Sequence, residues 1–341
     1  MFSELIVSAA GGKAAKTSTL YYDMVYSLAQ ESICESASGP AAGIWNNNAT
    51  VWLSTHHRDI LPAGRRMVPL GTHDMDKFTT ITVEQRDAIE ILSLNRPQAL
   101  NAVTPTMADE LIDYFSGLHN RLGTRIVIFR GNGRAFCAGA ELGSDAFSPP
   151  GPGRPQRQLD MQQRYSRIIR LMRSCPQPIV ALVQGAACGA GFSLLLASDV
   201  RFATRAARMN AAYIRVGVGG CDMGSGYLLP RLIGLSVASE LLLTGRFLEA
   251  DRAKAVGLVS DVVDDDKLLE TGLAFAAEMA RASPMGLRLT KQTLNALIDA
   301  PGIDAALMIE DRQQVILLET SDHQQAVAAF RERRDPTYSD R

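Results

Sequence analysis

The sequence predicts an α/β fold, a spiral of repeated strand–strand–helix (ββα) units that ends in a C-terminal helical region. Short β-rich apolar segments, such as RIVIFR at 125–130 and PIVALV at 178–183, each precede a run of small residues. Apolar residues at helical spacing dominate the chain from about residue 266 onward. Repeated units in this order favour a spiral over a Rossmann sheet. No GxGxxG motif opens a helix after a strand and no P-loop is present, so a nicotinamide or ATP cofactor is not expected.

The individual elements follow from the spacing of apolar residues and from turn signals. Alternating or clustered apolar residues predict strands at 78–84, 88–94, 125–130, 178–183, 200–203, 209–214 and 258–263. Helical spacing predicts helices at 105–121, 159–174, 189–198, 224–233, 237–244, 250–256, 266–282, 284–297, 304–318 and 324–334. Thr104 before Pro105 is suited to cap the first helix. The segment 144–158 is rich in Pro and Gly, which predicts irregular structure.

Composition limits the class of protein. The 341 residues are 46% hydrophobic, enough for a substantial core, and the net charge of −1 gives no reason to expect nucleic acid or a membrane surface as a partner. No apolar run reaches the roughly 18 residues that span a bilayer. The five cysteines form no CxxC pair, which favours a reducing, cytoplasmic location. No pattern predicts a metal site.

Three regions are predicted along the chain. Residues 75–265 form the α/β core, and 266–341 form the helical region. Residues 1–74 form an N-terminal extension that carries both tryptophans and fits neither a secretory signal nor a transit peptide. Three interpretations of the extension stay open: a weakly ordered segment or translation-start artefact, an arm that contacts other subunits, and a separate function.

Two runs of small residues are the most informative feature. They are FCAGAEL at 136–142 and GAACGAG at 185–191, and each follows a predicted strand. Small residues let a backbone turn approach another group and aim its N–H groups at a ligand. Two such turns facing each other can hold a thioester oxygen between two donors. Such an oxyanion hole stabilises a developing anion by about 3–4 kcal/mol per donor.

Several segments, in order, resemble the crotonase superfamily, also called the enoyl-CoA hydratase/isomerase family. They are NRPQALNA at 95–102, FCAGAEL, VQGAACGAGFSLLLASDVRFA, RVGVGGCDMGSGYLLPRLIG, LLLTGRFLEADRAKAVGLVSDVV and the tail ETSDHQQAVAAFRERRDPTY. Together they cover about 260 residues, from Phe78 to Tyr338. The resemblance implies an acyl-CoA thioester substrate, with coenzyme A as part of the substrate and no separate cofactor. It also implies a homotrimer or a dimer of trimers assembled through the C-terminal helices.

The resemblance assigns substrate-binding roles by position. It implies that the backbone N–H groups of Ala138 and Ala190 form the oxyanion hole. Coenzyme A would then lie along the first turn, and Arg96 or Lys291 would bind phosphate, unless these two are only solvated surface charges. The implied substrate contacts are Arg96, Ala99, Ala138, Gly139, Ala140, Glu141, Leu142 and Lys291.

The acid/base residues depart from the family pattern. Hydratases of the family use two glutamates, and their positions correspond here to Ser193 and Tyr213. Serine cannot replace a carboxylate base, and a tyrosine with a reference pKa near 10 is a poor base at neutral pH. The chain is therefore assigned to a branch that lacks both glutamates. Ser193 and Tyr213 stay candidates for the catalytic site, where Tyr213 would orient substrate or water. The alternatives are that Ser193 is a small filler in a buried helix and Tyr213 is a structural aromatic.

One acidic residue remains near the predicted site. Asp222 matches an aspartate that dienoyl-CoA isomerases of this family use, and a carboxyl group in an apolar pocket can move protons next to an enolate. The alternative is that Asp222 caps the following helix, and Asp145 is a reserve candidate. Cys137 and Cys221 have no base nearby in sequence and are interpreted as packing residues.

These residues predict an acyl-CoA enzyme of the hydratase/isomerase family. An isomerisation or another enolate reaction is favoured over hydration, because both glutamates are replaced. Two other functions stay open: a non-catalytic acyl-CoA-binding protein, and a thioester hydrolase or decarboxylase that needs only the oxyanion hole and a polar group.

Overall fold

The computed structural model describes residues 77–142 and 152–341. The described strands are β1 (Ile81–Arg86), β2 (Ile89–Leu94), β3 (Ile126–Gly131), β4 (Ile179–Val183), β5 (Ala186–Cys188), β6 (Val200–Thr204), β7 (Arg208–Asn210), β8 (Leu248–Glu249) and β9 (Asp261–Val263). The described helices are α1 (Pro105–Gly117), α2 (Arg154–Ser174), α3 (Ala190–Ala197), α4 (Ser225–Ile233), α5 (Leu235–Thr244), α6 (Ala250–Ala255), α7 (Leu268–Met279), α8 (Pro284–Leu297), α9 (Ile303–Leu318) and α10 (Ser321–Glu332). The predicted extension at 1–74 and the reserve candidate Asp145 lie outside the described residues.

The strands form two sheets, and the predicted α/β spiral is confirmed. The larger sheet has the order β1-β2-β3-β4-β6-β9, with β1 and β2 antiparallel and every other neighbour parallel. The smaller sheet has the order β5-β7-β8. Consecutive strands alternate between the sheets, because β4 and β6 enter the larger sheet while β5 and β7 enter the smaller one. This alternation is the repeated unit that the sequence predicts.

Both faces of the larger sheet are buried, which explains its nearly continuous apolar strands. Successive side chains on a strand point to opposite faces. Val127 and Phe129 of β3 therefore join the main core with α1, α2 and α3, whereas Ile126 and Ile128 join a second cluster beneath α7. The main core contacts both small-residue turns, so the scaffold behind them is rigid.

Local capping follows the sequence closely at α1. The Thr104 side chain accepts a hydrogen bond from the Met107 N–H at 3.1 Å, and Pro105 occupies the first helical turn. This N-cap satisfies one of the amides that a helix start leaves unpaired. The predicted cap is confirmed, and the helix continues as a 3-10 turn at Leu118–Asn120.

Two element predictions were wrong. The strand expected at 209–214 ends at Asn210, and Ala212–Val216 form a 3-10 turn closed by Gly217 at φ 84°. Helix α2 begins five residues earlier than predicted, inside the Pro- and Gly-rich segment. Pro155 lies in its first turn, where a missing N–H costs nothing, so this proline starts the helix instead of preventing it.

Within the two described ranges, no helix combines the length and apolar character needed to cross a bilayer.

Candidate active site

The first small-residue turn exposes one particular amide. Val103 pairs with Ala140 in a parallel bridge: the Val103 N–H donates to the Gly139 carbonyl at 2.8 Å, and the Glu141 N–H donates to the Val103 carbonyl at 3.0 Å. In such a bridge the N–H of the central residue points away from the partner. The Ala140 N–H therefore faces away from Val103, and among the described residues it has no hydrogen-bond partner.

The prediction that the Ala138 amide is an oxyanion donor was wrong. Its N–H donates to the Leu100 carbonyl at 2.9 Å. The cause is the preceding bridge between Cys137 and Ala187, which turns the next amide toward the 100–101 loop. Leu100 and Asn101 hold that loop in the left-handed region, at φ 50° and 57°. The unpaired donor of this turn is two residues later, at Ala140.

The second turn leads directly into α3. Gly189 has φ 50°, a conformation that favours glycine, and its N–H donates to the Asn210 carbonyl at 3.0 Å. Ala190 is the first helical residue, so its N–H has no intrahelical acceptor. The positive end of the helix dipole adds to the field at this point. Ala190 does not have a positive φ, so alanine is accommodated there without strain.

The two turns pack against each other. A Cβ atom placed on Gly139 would lie 3.0 Å from the Cys188 carbonyl oxygen and 3.8 Å from the Ala190 nitrogen. A Cβ atom on Gly191 would lie 2.3 Å from the Cys137 carbonyl oxygen. Ala140 and Ala190, which carry the two unpaired amides, both line one cavity of about 100 Å³, and Ala138 lines it as well. Its lining includes Gly139, Ala140, Leu142, Gln162, Tyr165, Gly189, Ala190, Tyr213, Asp222 and Met223.

Ser193 and Tyr213 are hydrogen-bonded to each other inside this site. The Tyr213 hydroxyl also donates to the Gly189 carbonyl at 2.6 Å, and Ser193 Oγ lies 3.1 Å from the Asp222 main-chain carbonyl oxygen. Burial raises the pKa of Tyr213 well above its usual range, so the phenol keeps its proton. Neither residue has a partner that would make it a base.

Asp222 lines the cavity, and one of its carboxylate oxygens is unpaired within the described residues. Its Oδ1 accepts hydrogen bonds from the Met223 N–H at 2.7 Å and from Gln162 Nε2. Its Oδ2 has no partner in the part of the chain that the structure describes. The helix-capping alternative is not realised, because α4 begins at Ser225 with Gly224 as N-cap and receives no side-chain cap.

The predicted phosphate ligands have different environments. Arg96 Nη2 pairs with Glu141 Oε1 at 2.8 Å beside the first turn, and Arg96 Nη1 donates to the Ala102 carbonyl at 2.7 Å. Ala99 lies in the 3-10 turn after Arg96 and is not part of the cavity lining. Leu142 is exposed at the rim.

The assignment of Lys291 to phosphate binding was wrong. Its side chain is only 4% exposed, and Nζ lies 2.9 Å from Asp199 Oδ2. The same ammonium donates to the main-chain carbonyls of Met172 and Gln177 at 2.9 and 2.8 Å. These contacts join α8, which carries Lys291, to the C-terminal end of α2. Lys291 is therefore a structural residue of the helical region.

The cysteines next to the turns are unsuited to nucleophilic catalysis. Burial raises the pKa of Cys137 to about 12, and the thiolate is the nucleophilic form. Cys221 is exposed, contrary to the packing role expected for it.

Five cavity residues escaped the sequence analysis, among them Ala212 and Val216 of the 3-10 turn that follows β7. Gln162 and Tyr165 come from α2, and Met223 is a buried residue with φ 45°. The helical spacing of α2 could have placed Gln162 and Tyr165 on one face, but nothing in the sequence indicates which face meets the turns. Ala140 was predicted only as a contact for coenzyme A.

Comparisons with known proteins agree with this fold. The family model for enoyl-CoA hydratase/isomerase matches residues 84–341. A Mycobacterium tuberculosis protein described as a probable enoyl-CoA hydratase, EchA12, is 36% identical over 258 residues, covering 75% of this chain and 90% of its own length. The 1,2-epoxyphenylacetyl-CoA isomerase of Escherichia coli is 32% identical over 265 residues, covering 78% and 99%. The solved enoyl-CoA hydratase from Bacillus anthracis is 29% identical with a TM-score of 0.73, covering 77% of this chain and 100% of the solved chain.

The α/β spiral with two facing small-residue turns thus defines a crotonase-fold enzyme. The chain belongs to the enoyl-CoA hydratase/isomerase family.

Proposed function

We propose that this enzyme stabilises the enolate of an acyl-CoA thioester between the N–H groups of Ala140 and Ala190, and that Asp222 moves the proton. The reaction is of the isomerase type. The observation that supports this proposal is that Ala140, Ala190 and Asp222 line a single cavity, while both amides and one carboxylate oxygen are unpaired within the described residues.

The electrostatics of the cavity favour an enolate. Two fixed amide donors and the start of α3 concentrate partial positive charge where the thioester oxygen would develop its negative charge. Each donor of this kind contributes about 3–4 kcal/mol to transition-state stabilisation. No separate cofactor is needed, because the thioester carbonyl itself accepts the electron pair.

Asp222 suits reversible proton transfer. Oδ2 takes a proton from the carbon next to the thioester carbonyl, and the electron pair of the broken C–H bond moves into the enolate. The same carboxyl group then returns the proton to another carbon of the conjugated chain, so atoms and charge balance. The related E. coli isomerase supports this class of reaction for the present chain.

The polar pair in the cavity argues against hydration. The resemblance to the family's hydratases implies water addition with two carboxylates, and Asp222 is the one acidic residue among the described residues that line this cavity. At the two corresponding positions, the Tyr213 hydroxyl donates to a carbonyl and Ser193 has no activating base. Arg96, beside Glu141 at the first turn, is proposed to bind phosphate of coenzyme A.

The test compares two substrates and one substitution. We expect the purified enzyme to isomerise 3,5-dienoyl-CoA and to hydrate crotonyl-CoA slowly or not at all. Asp222→Asn keeps the shape of the side chain but removes the base, and should lower kcat for isomerisation by about 10²–10⁴-fold. Hydration at ordinary rates that survives Asp222→Asn would refute this proposal.

Two further outcomes would identify the alternatives. Binding of acyl-CoA esters without turnover, unaffected by Asp222→Asn, would indicate a non-catalytic binding protein. Release of free coenzyme A would indicate a hydrolase, and release of carbon dioxide with the thioester intact would indicate a decarboxylase.

A further inference from the structure

The Tyr213 hydroxyl contacts the same peptide group that supplies an oxyanion donor. The Gly189 carbonyl, which accepts the hydrogen bond from Tyr213 at 2.6 Å, and the Ala190 N–H belong to one peptide unit. The carbonyl points toward the phenol, while the N–H on the opposite side borders the cavity. A hydrogen bond to the oxygen of a peptide draws electron density from its nitrogen and makes the N–H a stronger donor.

The direction of the Tyr213–Gly189 hydrogen bond is fixed by elementary chemistry. A carbonyl oxygen cannot donate, so the single phenolic proton of Tyr213 points to Gly189. The single Ser193 proton has two acceptors within reach, the Tyr213 oxygen and the Asp222 main-chain carbonyl oxygen at 3.1 Å. Because the Tyr213 proton is directed to Gly189, the Ser193–Tyr213 contact is a hydrogen bond when Ser193 donates to the phenol. Burial keeps the phenol protonated by raising its pKa. When Ser193 donates to the phenol, the donors align in the order Ser193, Tyr213, Gly189–Ala190 peptide.

We propose that Ser193 and Tyr213 are positioning residues that polarise and orient the Gly189–Ala190 peptide, so that its N–H binds the thioester oxygen more strongly. This inference rests on the proposed function, since it requires that the Ala190 N–H be an oxyanion donor. It gives the two positions that correspond to glutamates in hydratases a role that does not involve proton transfer to substrate.

The other donor of the site has a matching arrangement. The carbonyl of the Gly139–Ala140 peptide accepts the Val103 N–H at 2.8 Å. In both peptides the carbonyl oxygen accepts a hydrogen bond. The donor to the Gly139 carbonyl is a backbone amide, and the donor to the Gly189 carbonyl is the Tyr213 side chain. The Gly189 carbonyl also accepts the Ser193 N–H at 3.0 Å, which orients the same peptide within α3. Only the second donor can thus be tuned by substituting a side chain.

The experiment measures polarisation of the bound thioester directly. Butanoyl-CoA labelled with ¹³C at the carbonyl is saturated, so it cannot be isomerised or hydrated. We expect its carbonyl resonance to move downfield on binding to the wild-type enzyme. Tyr213→Phe should reduce that movement by about half and lower kcat about 10-fold, with Kd changed less than about 3-fold. Ser193→Ala, which removes the donor to the phenol, should give a smaller effect in the same direction.

Tyr114→Phe is the matched control. Tyr114 is fully buried and its hydroxyl bonds to Glu90 at 2.8 Å, away from the cavity lining. We expect this variant to lose thermal stability while leaving the bound carbonyl resonance unchanged. If Tyr213 has a purely structural role, Tyr213→Phe should likewise lose thermal stability and leave the bound carbonyl resonance unchanged.

The outcomes separate the two proposals. A wild-type carbonyl shift that persists in full in Tyr213→Phe and Ser193→Ala overturns the positioning role and leaves the oxyanion hole intact. Bound butanoyl-CoA without a downfield shift in the wild-type enzyme overturns the oxyanion hole, and the positioning role with it. If Tyr213→Phe does not fold, Ser193→Ala alone decides the question.

Discussion

At the scale of single residues, the carboxylate of Asp222 is held by its neighbours so that one oxygen stays available. Gln162 and the Met223 amide both donate to Oδ1, and Oδ2 has no hydrogen-bond partner among the described residues. Met223 adopts φ 45°, a left-handed conformation that costs an L-residue about 1–2 kcal/mol. The packing around the buried Met223 side chain maintains this strained backbone. The Met223 N–H is thereby kept in position to bind the Asp222 carboxylate.

Gln162 can be tested as the residue that orients this carboxylate. Gln162→Leu keeps a similar volume and removes the donor, so Asp222 gains rotational freedom. We expect kcat for isomerisation to fall about 10-fold with KM changed less than about 3-fold, because orientation affects the transition state more than binding. Steady-state kinetics measure both constants.

The neighbouring residue supplies the control for that substitution. Gln163 is exposed on the same helix and does not line the cavity. Gln163→Leu should leave both constants unchanged. Equal kinetics for wild type and Gln162→Leu would show that the hydrogen bond to Asp222 has no role in positioning.

At the scale of elements, the site depends on how closely α3 approaches the first turn. Gly191 lies against Cys137, where any Cβ atom would overlap the carbonyl oxygen and lie 2.9 Å from the sulfur. The two amides that we propose as oxyanion donors belong to these two segments. Their separation is therefore set by a glycine that does not itself contact the cavity.

Gly191→Ala should separate the turns. Relief of the overlap requires backbone movement, and overpacking of this kind costs about 1–3 kcal/mol. We expect a lower thermal midpoint and at least a 10-fold loss of kcat, because the amides no longer converge. Gly123 has no positive φ and no atom within 4 Å of an added Cβ, so Gly123→Ala is the control that should be tolerated. Wild-type activity in Gly191→Ala would contradict this account.

At the scale of the whole molecule, the C-terminal helices present apolar side chains that the described chain does not cover. Helix α9 buries none of its residues. The exposed apolar residues of α8, α9 and α10 include Leu294, Ile303, Leu307, Met308, Val315, Ile316, Leu318 and Phe330. Exposed apolar surface of this extent is typical of a protein–protein interface.

We expect this surface to assemble the homotrimer, or dimer of trimers, that the family resemblance implies. Light scattering should give a mass of three or six chains. Ile303→Glu combined with Leu307→Glu places two charges one helical turn apart on α9 and should yield monomers. Leu122→Glu, at an exposed leucine of a turn outside these helices, is the control. A monomeric wild-type protein would refute the prediction.

Local sequence patterns were sufficient for much of the fold. The apolar strands, the Thr104 cap, the helices of the C-terminal region and the two small-residue turns all depend on residues near each other in sequence. The proline-rich start of α2 and the short strand β7 were mispredicted. Pro155 is compatible with both a helix start and a loop. Strand β7 is shorter than the sequence predicts because only its three residues, 208–210, pair with β5 in the smaller sheet.

The sequence by itself determined the family, the α/β spiral and the two turns that form the site. Only the tertiary structure decided which amide of the first turn is free, where Lys291 points and what holds Asp222. Each of these depends on a partner far along the chain: Leu100 for Ala138, Asp199 for Lys291, and Gln162 for Asp222. Hydrogen-bond pairing and burial are properties of the packed chain, and residue type alone does not specify them.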